Sequence, residues 1–460
     1  MRFFWLALVM SVWLPVCCMA AEPLPDTQPL TLEGDIAAQL VAGVDKFLLR
    51  KIDESAAARD KVWPRNFATP EDRMEFLKAK RKRLAVMLGV RDERVPFESP
   101  ELVATATRSA LIAECETYKV YAVRWPTVRD MFAEGLWIEP NDAKNVKANL
   151  VVLPDADQTP EQIMGLVEGV PEKMQFARML AEGNCRLMVP TLISRQIAAR
   201  NGRAKMTNRE FIYRPAFILG RHVIGYELQE VFAAVDWFAK NGKDAKTTIG
   251  VVGNGEGGML AMYAAALDPR ISKTAISGYF GKKEAVWRQP VDRNIFGILA
   301  EFGNAEVLRL VTCDVYFDNV AYPNLVLPSE GGAPGTLEPV SVDEADTEYS
   351  RIRRRGDTTR AVYLSELSEK KQEELSHLVT FFLPGDERNP TPRQKVTVVN
   401  PPQDANARQT RLLHAMDRHN QWLLSESPYV RAQFMKGLNT SSLEAYAKAS
   451  SRIARRSNAT

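Results

Sequence analysis

From about residue 117 to 280 the chain alternates short apolar runs with longer segments whose apolar positions recur every three or four residues. Tyr118–Val123 alternates sidedness, and Gly135–Glu139 follows after a short loop, which predicts an antiparallel pair at a sheet edge. Asn149–Leu153 is apolar on both faces and reads as a central strand; Leu187–Pro190 reads the same way. Thr159-Pro160-Glu161-Gln162 is a capping box with proline at the first helical position. Phe176–Glu182 continues as helix, and Ile224–Lys240 carries Val231, Val235 and Phe238 on one face. A strand at Thr248–Val252, a helix at Met259–Leu267 and a strand at Lys273–Ser277 follow. Strands alternating with helices imply a mostly parallel sheet with helices on both faces, joined by right-handed crossovers. Beyond about 305 the pattern thins. Tyr322–Leu327 and Leu378–Leu383 read as the remaining strands.

The flanks are helical. In 21–116 the clearest helix starts at Thr69 as N-cap and Pro70, and is stopped by Gly89. Its basic run Lys78–Arg83 reads as a solvated face rather than a nucleic-acid patch. Residues 117–390 form the α/β domain and 391–403 a linker. Residues 404–460 hold nine Lys/Arg against four Asp/Glu and read as helix without a core of its own, a place for a partner protein or a second domain. At the other end, Arg2, the apolar run Phe3–Val16 and Cys18-Met19-Ala20 have the order of a signal peptide, 1–20, cleaved after Ala20. An uncleaved anchor and lipidation at Cys17 are weaker alternatives. No later run reaches 18 apolar residues, so the expected product is secreted or periplasmic, with no membrane span.

Charge and composition narrow the partners. Sixty Lys/Arg against 57 Asp/Glu give a net charge of +3, which argues against nucleic acid as ligand. After cleavage Cys115, Cys185 and Cys313 remain, too few and too scattered for a disulfide framework. His222, His377, His414 and His419 form no metal-binding pattern, so neither metal nor cofactor is expected.

The chemistry centres on Thr248-Ile-Gly-Val-Val-Gly253-Asn254-Gly255-Glu256-Gly257-Gly258, a buried strand, a Gly-rich turn and a helix. This is the setting of the G-x-S-x-G nucleophile elbow. With Tyr263–Ile271 after it and the antiparallel start before it, the span 117–390 resembles an α/β-hydrolase of the dienelactone hydrolase and acetylxylan esterase kind. The likeness extends to secreted bacterial proteins with a second hydrolase domain. It implies that Gly255 stands at the nucleophile position, where glycine has no attacking atom. It also implies an acid after the seventh strand, for which Glu330 is the candidate, and a histidine after the eighth, where Pro384–Arg388 has none. The loop Asp155-Ala156-Asp157 takes the oxyanion-hole place, and Gly253, Asn254 and Gly257 complete a small-ligand pocket. His222 reads as a packed or capping residue, and Arg209–His222 as the border of a pocket.

Glu256 has three readings: a substitute base or nucleophile, part of a pocket, or a helix-start carboxylate. The resemblance therefore implies an ester or carbohydrate-ester hydrolase type that has become a pseudo-hydrolase keeping its pocket. An active esterase using Glu256 or Asp157 is the alternative. A dinucleotide site at Gly253, Gly255 and Gly258 is weaker, because no acid ends the next strand.

Overall fold

A computed structural model describes residues 25–459 except 29, 65, 201–203, 242–247, 319–324, 329, 331, 354–360, 365–374 and 385–393. The expected leader, 1–20, lies outside the described residues. The chain divides into two units, 1–51 and 52–460. The first contributes the start of helix α1 (Ile36–Val62).

The core of the second unit is one twisted sheet. In chain order the strands are β1 (Leu111–Glu114), β2 (Tyr118–Pro126), β3 (Phe132–Pro140), β4 (Ala148–Leu153), β5 (Arg186–Pro190), β6 (Thr248–Asn254), β7 (Lys273–Ser277), β8 (Asp314–Asp318), β9 (Ala361–Leu364) and β10 (Thr397–Val398). Their spatial order is β9-β8-β7-β6-β4-β5-β3-β2-β1-β10, and Glu101–Leu102 adds a short pairing to β2. β2, β3 and β5 pair antiparallel, whereas β5, β4, β6, β7, β8 and β9 run parallel. β4 is buried at every position, as its two-sided apolar sequence requires. Because β1 and β10 join the sheet, it reaches past both ends of the 117–390 span.

Two strand assignments are corrected. Only Leu325–Leu327 of the Tyr322–Leu327 run is described, and it pairs with Gly335–Leu337 in a separate hairpin. Leu378–Leu383 is not a strand. It falls largely in helix α6 (Ser376–Phe382), whose Leu378, Val379 and Phe382 pack under the sheet edge. A short buried helix and a buried strand give the same continuous apolar run, so periodicity cannot separate them. The seventh and eighth principal strands are β8 and β9.

Helix α2 (Pro70–Met87) packs on α5 (Glu256–Leu267), α3 (Asn208–Ile218) packs on α4 (Val223–Asn241), and α4 and α5 lie against the sheet. Thr69 caps α2 in a full capping box with Asp72. The basic run on α2 is more than a solvated face. Lys80 and Arg83 bind Glu301, and Arg81 donates to the carbonyls of Ala266 and Leu310. The final helices are α7 (Ala405–Phe434) and α8 (Leu443–Ala459). Leu412, Leu413 and Met416 of α7 enter the main core. Among the described residues no helix is long and apolar enough to cross a membrane.

A buried elbow filled by an ion network

β6 passes into α5 through Gly255, whose φ of 58° and ψ of −115° lie in a region essentially restricted to glycine. The crossing is tight. A Cβ on Gly253 would stand 2.2 Å from the Gly257 carbonyl carbon, and one on Gly257 would stand 2.3 Å from the Leu153 carbonyl oxygen. The strand–turn–helix geometry of an elbow is thus present, with Gly255 at its turn.

Glu256, the next residue, is fully buried. Its Oε1 accepts from Arg209 at 3.0 Å. Its Oε2 accepts from Arg195 at 2.9 Å and from Arg293 at 2.9 and 2.6 Å. Burial alone would raise its pKa, but Arg293, Arg209 and Arg195 outweigh burial and hold the carboxyl well below the usual range. Arg209 also binds Glu227 and Asp292, at 2.7 Å each. The segment Arg209–His222, expected to border a pocket, thus begins with a guanidinium that is fully buried.

Asp155 closes the network. Its Oδ2 accepts from Arg195 at 2.8 Å, and its Oδ1 accepts from the Glu256 amide at 2.9 Å. The amide after the nucleophile is an oxyanion-hole donor in this fold. Here a carboxylate of the same chain already occupies it. The arrangement leaves no open helix N-terminus for a pyrophosphate either, and Gly258 packs on the Ser277 carbonyl.

Asp318 stands at the end of β8. Glu330 sits in a surface loop, 63% exposed at its side chain, and pairs with Lys205 at 3.1 Å. Asp318 is buried and accepts from Ser277 Oγ at 2.7 Å and from the Tyr316 hydroxyl at 2.8 Å. Asn254 donates to Ser277 in turn, at 3.1 Å. No histidine stands between Leu364 and Ser376 in the sequence, and His377 falls inside α6. His414 faces solvent on α7. His419 is buried and shares a hydrogen bond of 2.9 Å with Tyr226. Of the expected pocket residues, Ala156 and Asp157 line a cleft of about 480 Å³ with Arg195 and Gln409. Asp155, Gly253, Asn254 and Gly257 are buried within the elbow.

His222 starts α4. Its Nδ1 accepts from the Ile224 amide at 3.1 Å, so Nε2 carries the proton and donates to the Asn294 carbonyl at 3.1 Å. Burial pushes its pKa down to about 4, against the raising effects of Asn294 and Asp292. A depressed folded pKa means that the unfolded chain binds the proton first. Stability is therefore lost as pH falls from 6.5 towards 4, by about 3 kcal/mol from this residue. Urea unfolding at pH 7.5 and 5 is expected to show about 2 kcal/mol of that loss in the wild type and a smaller one in His222→Asn. Equal slopes would assign the effect elsewhere.

The parallel order of the principal strands β2 to β9 is 1-2-4-3-5-6-7-8, with the second antiparallel, and the glycine elbow follows the fifth. The fold is that of the α/β-hydrolases. No protein-family model and no curated protein matches the sequence. Solved structures similar to the chain include a Bacteroides fragilis protein assigned as an acetyl xylan esterase (12% identity, 67% of this chain, 79% of that one, TM-score 0.47). Acetyl xylan esterase 1 of Thermoanaerobacterium (14%, 53% and 78%, TM-score 0.34) and the glucuronoyl esterase of Solibacter usitatus (12%, 66% and 91%, TM-score 0.38) are others. The fold assignment rests on the strand order and the elbow.

Proposed function

We propose that this α/β-hydrolase is a ligand-binding protein that has lost hydrolysis, a pseudo-hydrolase of the ester or carbohydrate-ester type. One observation carries the reading: the Asp155 carboxylate sits on the Glu256 amide, beside a glycine where the nucleophile would stand. An acyl oxyanion finds that donor taken and faces a carboxylate instead of a dipole, the reverse of what stabilises it. Both oxygens of Glu256 are committed to guanidinium groups, which supports a structural role over attack on a substrate.

The test is hydrolysis of p-nitrophenyl acetate together with labelling by a fluorophosphonate. Neither the wild type nor Gly255→Ser is expected to turn over ester above background or to be labelled, since His222 and His419 are buried in other hydrogen bonds, His377 lies in α6 and His414 faces solvent. Wild-type turnover at an ordinary enzymatic rate, about 1 s⁻¹ or more, overturns the reading. Fast turnover by Gly255→Ser alone means that a histidine reaches the elbow. Export belongs to the same proposal. It is supported by the Arg2–Ala20 leader, and intact mass of protein from a secreting host is expected to begin at Ala21.

A further inference from the structure

A second cavity, of about 470 Å³, opens beyond the C-terminal end of β7, bounded by Gly278, Tyr279, Lys283, Trp287, Asn304 and Val340 among others. Its volume is in the range of small-molecule sites. Two of its polar groups are buried without the partners that buried groups normally have. Lys283 is 4% exposed. Its ammonium donates to the Tyr279 hydroxyl at 3.1 Å and lies 5.6 and 5.9 Å from the ring centres of Tyr263 and Tyr279. It has no carboxylate partner among the described residues. Asn304 is 3% exposed. Its amide nitrogen donates to the Gly281 carbonyl at 2.8 Å, which fixes the side chain, while its Oδ1 has no donor.

We infer that this cavity binds a small hydroxy acid, with its carboxylate on Lys283 and a hydroxyl donating to Asn304. The inference rests on reading the chain as a binding protein and supplies the ligand class. An ammonium has three protons and only donates, so an anionic oxygen answers it; an amide oxygen only accepts, so a hydroxyl answers that. The charge available fits a monoanion. Arg293 lines the same cavity but is committed to Glu256, and among the outer lining residues Lys282 and Arg288 offset Glu338 and Glu344. A dianionic phosphate would find one uncommitted buried cation, Lys283, for its two charges. Trp287, 46% exposed, offers a ring face to the C–H side of a polyol chain, as apolar walls do in other small-ligand sites.

The experiment is calorimetric titration of the full chain with gluconate, glucose, butyrate and inorganic phosphate at pH 7. Gluconate is expected to bind, with glucose and butyrate at least tenfold weaker. Lys283→Met keeps most of the apolar stem and is expected to weaken gluconate at least tenfold. Trp287→Ala, at an exposed position that leaves the fold intact, is expected to weaken it severalfold. No gluconate binding at millimolar concentration overturns the inference, as does binding unchanged in both variants. Phosphate bound in preference to gluconate overturns the hydroxy-acid assignment. Ester turnover by a wild type that still binds gluconate through Lys283 defeats the pseudo-hydrolase reading alone. No turnover and no binding defeats this inference alone.

Discussion

Glu256→Ala is expected to destabilise the protein by at least about 3 kcal/mol, and a preparation that does not fold is within that expectation. The reason is what remains. Arg195, Arg209 and Arg293 converge on one carboxylate with no exposure to solvent, and removing it leaves three guanidinium groups around a dry gap. A buried pair contributes little over an apolar replacement of the whole set, but losing one member leaves each arginine short of a partner, although Arg209 keeps Glu227 and Asp292 and Arg195 keeps Asp155. Glu256→Gln keeps the shape, loses the charge and is expected to fall between the two. Chemical unfolding at pH 7 measures both. A midpoint for Glu256→Ala within error of the wild type's would show that the network carries none of the stability assigned to it.

The second large effect is steric. Gly257→Ala places a methyl group 2.3 Å from the Leu153 carbonyl oxygen and 2.6 Å from that of Pro154. Both are backbone atoms at the end of β4, the strand beside β6, so neither can move without parting the sheet. A loss of at least about 3 kcal/mol is expected, beyond the usual range for a single substitution. Gly43→Ala is the comparison, since a Cβ there meets nothing within 4 Å. Alanine at a helix interior is expected to be neutral or mildly stabilising there. Thermal unfolding of the two variants side by side decides it; similar melting temperatures would mean that the elbow tolerates a spread its geometry denies.

What the sequence disclosed and what it hid divide along a physical line. The alternation of strands and helices, the Thr69 and Thr159 capping boxes and the elbow are written in consecutive residues, so local chemistry exposes them. The network is assembled from Asp155, Arg195, Arg209, Glu227, Glu256, Asp292 and Arg293, drawn from separate segments that only the fold brings together. One signal was present. Glu227 and Glu230 interrupt a helix that is otherwise buried nearly all round, and buried carboxylates call for partners. β8 and β9 do not stand out in the sequence because each is only four or five residues long, and the sequence around them carries a stronger apolar run in Leu378–Leu383.

Helix α7 bears on the order in which the molecule can be made. Arg408 binds Glu161 across 247 positions and Arg411 binds Glu134 across 277, while Gln409 bonds the Leu192 carbonyl and the Ser194 amide beside Arg195. A ribosome delivers Glu134 and Glu161 long before their arginines. Until residues 405–420 clear the exit tunnel, the nascent sheet must carry two carboxylates destined for burial with no counter-charge, and the loop holding Arg195 lacks its clamp. The domain is therefore one in which a late helix completes a sheet begun almost three hundred residues earlier, so this part of its folding waits for residues 405–420.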